Sequence, residues 1–220
     1  MTFKQTKQAL EAFANTVIKQ SKGNLRRHRN NKFITGSSSG DLEGSLGYDL
    51  KVMTKSPESA KELVTKGSQL SLRMLSFPKP IVIACSGHAI AKGAFLLLSA
   101  DYRIGVEGDF KIGLNEVQIG MTMHHAGIAI AKTRLSEVYI NRSVVNAELY
   151  NPKQAVNAGF LDVVVPENHL LPTAIKVASL FAKLNTKAHA ETKLKVRKQH
   201  LLDLESAIQL DLESDISIRA

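Results

Sequence analysis

Apolar residues recur at helical spacing in several stretches of the chain and run unbroken in others. Phe3, Leu10, Phe13, Val17 and Ile18 fall near one face of a helical wheel, which predicts an amphipathic helix over 3–20. KFITG (32–36) reads as a short strand, and 37–47, rich in Gly and Ser, as a loop. Ser56 then Pro57 is a helix start, an N-cap followed by a first-turn proline. Ala60, Leu63, Val64, Gly67, Leu70 and Met74 carry that helix on until Pro78 and Pro80.

Ile81 to Cys85 is a short, β-branched apolar run, the pattern of a strand covered on both faces. AKGAFLLLSA (91–100) reads as a buried helix, Tyr102 to Gly105 and Asp109 to Gly113 as short strands, and most of 123–142 as helical. Asn151-Pro152 opens another helix that Gly159 closes, and Val163 to Val165 is strand-like. From Asn168 onward the pattern is helical with a break at Asn185. Strands alternating with helices make the fold class α/β, with a core over 1–165 and a helical region over 166–220.

Composition narrows the reading. With 44% hydrophobic and 22% charged residues the chain is an ordinary globular one. No apolar run approaches the ~20 residues of a membrane span. The first ten residues lack the apolar stretch of a signal peptide. Cys85 is the single cysteine, so no intrachain disulfide and no cysteine-built zinc site can form, and the expected setting is cytoplasmic. The net charge is +9, of which residues 1–40 supply +7, densest in KGNLRRHRNNK (22–32). Such a run attracts phosphates, but no aromatic residue interleaves with it to stack on bases, and nucleic acid is not the expected partner.

No P-loop, GxGxxG, HExxH or GxSxG motif is present. His124 and His125 adjoin, yet neighbours on a helix point ~100° apart and share a metal poorly. These features alone leave the activity open.

Four ordered segments resemble the crotonase superfamily, the enoyl-CoA hydratases and isomerases: GYDL (47–50), KPIVIACSGHAIAKGAFLLLSADYRIG (79–105), FKIGLNEVQIGM (110–121) and NPKQAVNAGFLDVVVP (151–166). The resemblance implies a crotonase-like spiral of ββα units with a helical C-terminal trimerisation region. It also implies an acyl-CoA substrate whose enolate is held by two backbone amides, here those of Tyr48 and Lys92. Leu46, Asp49, Leu50, Ala91, Phe95, Asn115 and His124 fall at positions that line the substrate. No cofactor is implied beyond the coenzyme A thioester itself.

Three departures matter. Family hydratases use two glutamates. Glu116 matches the second, with Asn115 replacing the usual proline, whereas Phe95 stands at the first. A phenyl ring cannot transfer a proton, so the expectation is a single base suited to moving a proton between carbons. The family's glycine run is here Ala91-Lys92-Gly93. The usual N-terminal β-hairpin is also expected to be missing. The alternative expectation is an acyl-CoA-binding or scaffold protein that keeps the fold with impaired catalysis. The family assembles as trimers or hexamers, and Leu180, Leu184, Leu194, Leu201, Leu204 and Ile208 could serve either an interface or the chain's own core. Lys51 and the 22–32 segment are candidates to meet the phosphates of coenzyme A.

Overall fold

The computed structural model describes residues 47–216. The helix expected over 3–20, the strand over 32–36, the loop before Gly47, the basic segment 22–32, Leu46 and the expected loss of a hairpin lie outside the described residues.

Chain order explains the architecture. After α1 (Leu50–Met53) and α2 (Pro57–Leu75), β1 (Val82–Cys85), β2 (Ala89–Ile90) and α3 (Lys92–Leu98) form one ββα unit. A second is built from β3 (Tyr102–Val106), β4 (Ile112–Gly113) and α4 (His125–Lys132). First strand pairs with first strand and second with second, both in parallel, so each turn of the spiral adds a strand to each of two sheets. β5 (Leu149–Tyr150) closes one sheet antiparallel to β4, and β6 (Val163–Val165) extends the other parallel to β3. α5 (Glu137–Ile140) precedes β5, α6 (Pro152–Ala158) lies between β5 and β6, and α7 (Glu167–Phe181) and α8 (Thr186–Glu213) follow.

Local chemistry sets several boundaries. Ser56 Oγ accepts from the Ser59 amide at 3.1 Å, so α2 starts where the Ser-Pro pair predicts. Asn151 and Gln154 form a reciprocal capping box at α6, and Gly159 ends that helix at φ 101°. Asn185 caps α8 through the Ala188 amide. β1 is covered on both faces as its unbroken apolar run requires: Val82 and Ala84 pack with Leu170, Ala174 and Ala178 of α7, while Cys85 joins the main core with Phe95, Leu98 and Ile130.

Some expectations change. The helical stretch over 123–142 is divided, because the Thr133 hydroxyl turns back to the Ile130 carbonyl and the chain restarts at Ser136. Of Asp109 to Gly113 only Ile112 and Gly113 pair. The C-terminal apolar set separates. Leu204 and Ile208 are buried in the core and Leu201 packs against it, whereas Leu180, Leu184 and Leu194 remain exposed.

Buried ions dock α8 on the sheet. Asp101 accepts from the Ile81 amide (2.7 Å), Lys193 (2.7 Å) and Arg197 (3.0 Å). Arg103 grips both oxygens of Asp162, at 2.8 and 2.6 Å. Removing one partner of such a pair would leave a buried charge uncompensated.

Candidate active site

β2 and β4 end side by side, and the segment leaving each strand contributes to the site. Ile90 pairs with Gly113, and one step on the Ala91 amide donates to the Gly113 carbonyl at 3.0 Å. From there one chain turns into α3 through Ala91 and Lys92, and the other runs Leu114-Asn115-Glu116. Gly113 takes φ 155°, and a Cβ there would stand 2.9 Å from the Glu148 carbonyl oxygen. No side chain fits at this junction.

Ala91 adopts φ 51° and ψ −118°. This is glycine territory, and a non-glycine residue held there costs about 1–3 kcal/mol. The strained residue turns the chain sharply from strand into helix. Lys92 is the first residue of α3, so its amide has no acceptor within the helix. Gly47 brings the second backbone alongside: a Cβ on it would lie 3.0 Å from Ala91 Cβ and 3.7 Å from the Lys92 nitrogen. The structure thus gathers Gly47-Tyr48 and Ala91-Lys92, 44 residues apart in the chain, at one corner. Two backbone amides at a helix start can hold a developing oxyanion.

Glu116 is 3% exposed, and its Oε2 has no hydrogen-bond partner. Burial pushes its carboxyl up to about 7, suited to taking and returning a proton near neutrality. Asn115 is half-buried with Oδ1 likewise unpartnered. A buried polar atom without a partner is costly, and here two lie on consecutive residues.

Phe95 is buried at 1% exposure, its ring edge-on to His124 with centroids 5.4 Å apart. Gly127 makes room for this contact, since a Cβ there would come within 2.9 Å of Phe95, His124 and Met123. Burial first, then the nearby Lys92 and His125, pull His124 down to about 3, so its imidazole is neutral. Its Nδ1 has no partner. Asp211 of α8 caps α4 from the other side, accepting from the amides of His125 (2.7 Å) and Ala126 (2.9 Å).

Asp49 turns inward on its own segment, Oδ1 accepting from the Lys51 amide at 2.8 Å. Leu50 opens α1, and Lys51 is exposed. The sequence motif points only to the amide of Lys92. Its side chain is nevertheless 2% exposed, and its ammonium donates to the Gly67 carbonyl (2.5 Å) and Ser71 Oγ (2.8 Å). Gly67 and Ser71, small residues on the buried face of α2, are the signal in the sequence that could have revealed it. Asp211 has none. Among the described residues no three His, Cys, Asp or Glu side chains converge as a metal site needs, and no helix is long and apolar enough to cross a membrane. A groove of about 690 Å³ on the outer face of α2, lined by Lys61, Thr65 and Leu212, lies away from these residues.

The family profile described as enoyl-CoA hydratase/isomerase matches residues 1–217. This chain belongs to that family. It is 58% identical to an enoyl-CoA hydratase/isomerase family protein from Pseudomonas syringae, with a TM-score of 0.79 over 83% of this chain and 78% of that one. An enoyl-CoA isomerase of Mycobacterium tuberculosis is 28% identical, with a TM-score of 0.78 over 89% of this chain and 99% of its own. A probable enoyl-CoA hydratase of Bacillus subtilis is 30% identical over 142 residues, 63% of this chain. The match spans 55% of that relative's length. The spiral of ββα units is therefore the crotonase fold.

Proposed function

We propose that this protein binds an enoyl-CoA thioester and moves its double bond, with Glu116 as the single base. The thioester oxygen sits on the amides of Tyr48 and Lys92. The Glu116 carboxylate takes a proton from C2 of a 3-enoyl-CoA, and the electron pair passes to the oxygen as a dienolate. The same carboxyl then returns the proton at C4, leaving the double bond between C2 and C3. No cofactor takes part. The observation that carries this reading is the buried, unpartnered carboxyl of Glu116 on the segment that leaves Gly113, whose carbonyl accepts from the amide of the strained Ala91, with Phe95 where hydration would need a second acid.

The test monitors the absorbance of the conjugated thioester formed from a 3-enoyl-CoA. Glu116→Gln keeps the size of the side chain but cannot accept the proton. Turnover should fall by about 10²–10⁴-fold while acyl-CoA binding survives. Equal turnover by the two proteins would remove Glu116 from the mechanism. If both bind enoyl-CoA and neither turns it over, the protein is an acyl-CoA-binding relative with impaired catalysis.

The expected setting is fatty-acid or related acid catabolism in the cytoplasm, as a homotrimer or hexamer. Leu180, Leu184 and Leu194, 45–52% exposed on one protomer, support assembly. A monomeric mass by light scattering at micromolar concentration would count against it.

A further inference from the structure

Both proposed oxyanion residues reach back to the same place on α2. The Tyr48 ring lies directly over Gly67: a Cβ on Gly67 would overlap Tyr48 Oη and stand 2.7 Å from Cζ. The Tyr48 hydroxyl donates to the Val64 carbonyl at 3.4 Å, one turn before. The Lys92 ammonium donates to the Gly67 carbonyl itself and to Ser71 Oγ, one turn after. Gly67 thus receives Tyr48 on its bare Cα and Lys92 on its oxygen. Among the described residues no carboxylate pairs with Lys92; burial lowers its amine to about 7, and these two bonds hold it in place. A methionine would fill the same space without a charge to bury, so packing by itself does not call for lysine.

We propose that α2 acts as a two-point clamp on the oxyanion hole, in which the Lys92 side chain, through Gly67 and Ser71, is a positioning residue for its own amide and sets its spacing from the amide of Tyr48. This rests on the reading that those amides hold the thioester oxygen. The strained backbone at Ala91 has no helix on its upstream side to stiffen it, and the Lys92 side chain supplies a tether from downstream. The tether matters because a displacement of ~1 Å at an oxyanion hole can cost 10²-fold in rate.

The experiment compares the parent with Lys92→Met and Gly67→Ala. It measures kcat and KM on a 3-enoyl-CoA, thermal unfolding, and the near-ultraviolet enolate band of bound acetoacetyl-CoA, a β-keto thioester whose enolate reports the oxyanion hole directly. In Lys92→Met, Ser71 Oγ can turn to the Gly67 carbonyl one helical turn back, so the fold survives. Expected are a kcat lower by about 10–100-fold, a KM within about threefold of the parent, and an enolate band reduced in parallel. Gly67→Ala, which displaces Tyr48, should reduce the band through the other anchor. A Lys92→Met protein with the parent's kcat and enolate band overturns the clamp and leaves the proposed function standing. So does a loss that merely tracks the fraction unfolded. A parent that shows neither turnover nor an enolate band overturns both.

Discussion

The hydrogen bond from the Ala91 amide to the Gly113 carbonyl, 3.0 Å long, ties the turn that opens α3 to the segment that carries Glu116. It is the last rung of the β2–β4 ladder, and both chemically important segments leave the sheet from it. Gly113→Ala should break this junction, because its φ of 155° excludes a side chain and the added carbon would meet the Glu148 carbonyl oxygen. A loss of about 1–3 kcal/mol in urea unfolding is expected. An unchanged midpoint would show that the junction yields without cost.

Ala91→Gly runs the other way. Glycine reaches φ 51°, ψ −118° without the Cβ penalty, so the variant should be more stable by about 1 kcal/mol, read as a higher denaturant midpoint at unchanged slope. Turnover should fall, since the freed backbone holds the Lys92 amide less firmly. A variant less stable than the parent would mean that Ala91 is not strained.

How far the sequence could be read depended on the range of the forces involved. Ser56-Pro57, Asn151-Pro152 and the break at Asn185 were legible because a helix boundary of this kind depends on residues within one turn. Glu116 was legible only through the motif around it. Its neighbours Val117 and Ile119 are exposed, so no local pattern signals that the carboxyl between strand and turn is buried. No local pattern marks the Lys92 side chain as buried, since that burial depends on Gly67 and Ser71, more than twenty residues earlier.

Glu116→Gln should reveal the cost of the buried carboxylate. Burial raises the folded-state value from 4.5 to about 7, so between those limits the folded protein binds more protons than the unfolded chain. Its contribution is therefore fully present below pH 4.5 and is lost as pH rises through 7. The loss is on the order of 3 kcal/mol at pH 8. Glutamine has no such dependence. The variant should match the parent near pH 4.5 and exceed it at pH 8 in denaturant midpoint, and a constant difference across that range would refute the burial argument.

Asp211→Ala should loosen the contact between α8 and the start of α4. Two amides, those of His125 and Ala126, would lose their acceptor in a site where Asp211 is 2% exposed. About 1–2 kcal/mol of stability should go. Asp211→Asn keeps one acceptor oxygen and should lose less. If asparagine and alanine are equally destabilising, the carboxylate's charge rather than its bonds is what the helix start requires.

Phe95→Glu tests what decides between isomerisation and hydration. The ring fills a space walled by His124, with Gly127 leaving no slack, and hydration asks for a second carboxyl where that ring now stands. A glutamate placed there is shorter than the ring and enters apolar surroundings, so it leaves a cavity and its carboxyl stays protonated at neutral pH. A protonated carboxyl can give its proton to the carbon that hydration leaves as an enolate, while Glu116 activates the water. The variant should lose about 2–4 kcal/mol of stability and gain a small rate of water addition to crotonyl-CoA, measured as loss of the conjugated thioester absorbance. Glu116→Gln on top of Phe95→Glu should abolish that gain. A folded Phe95→Glu protein that adds no water, although the parent isomerises, would place the barrier to hydration in access of water to the pocket rather than in the missing acid.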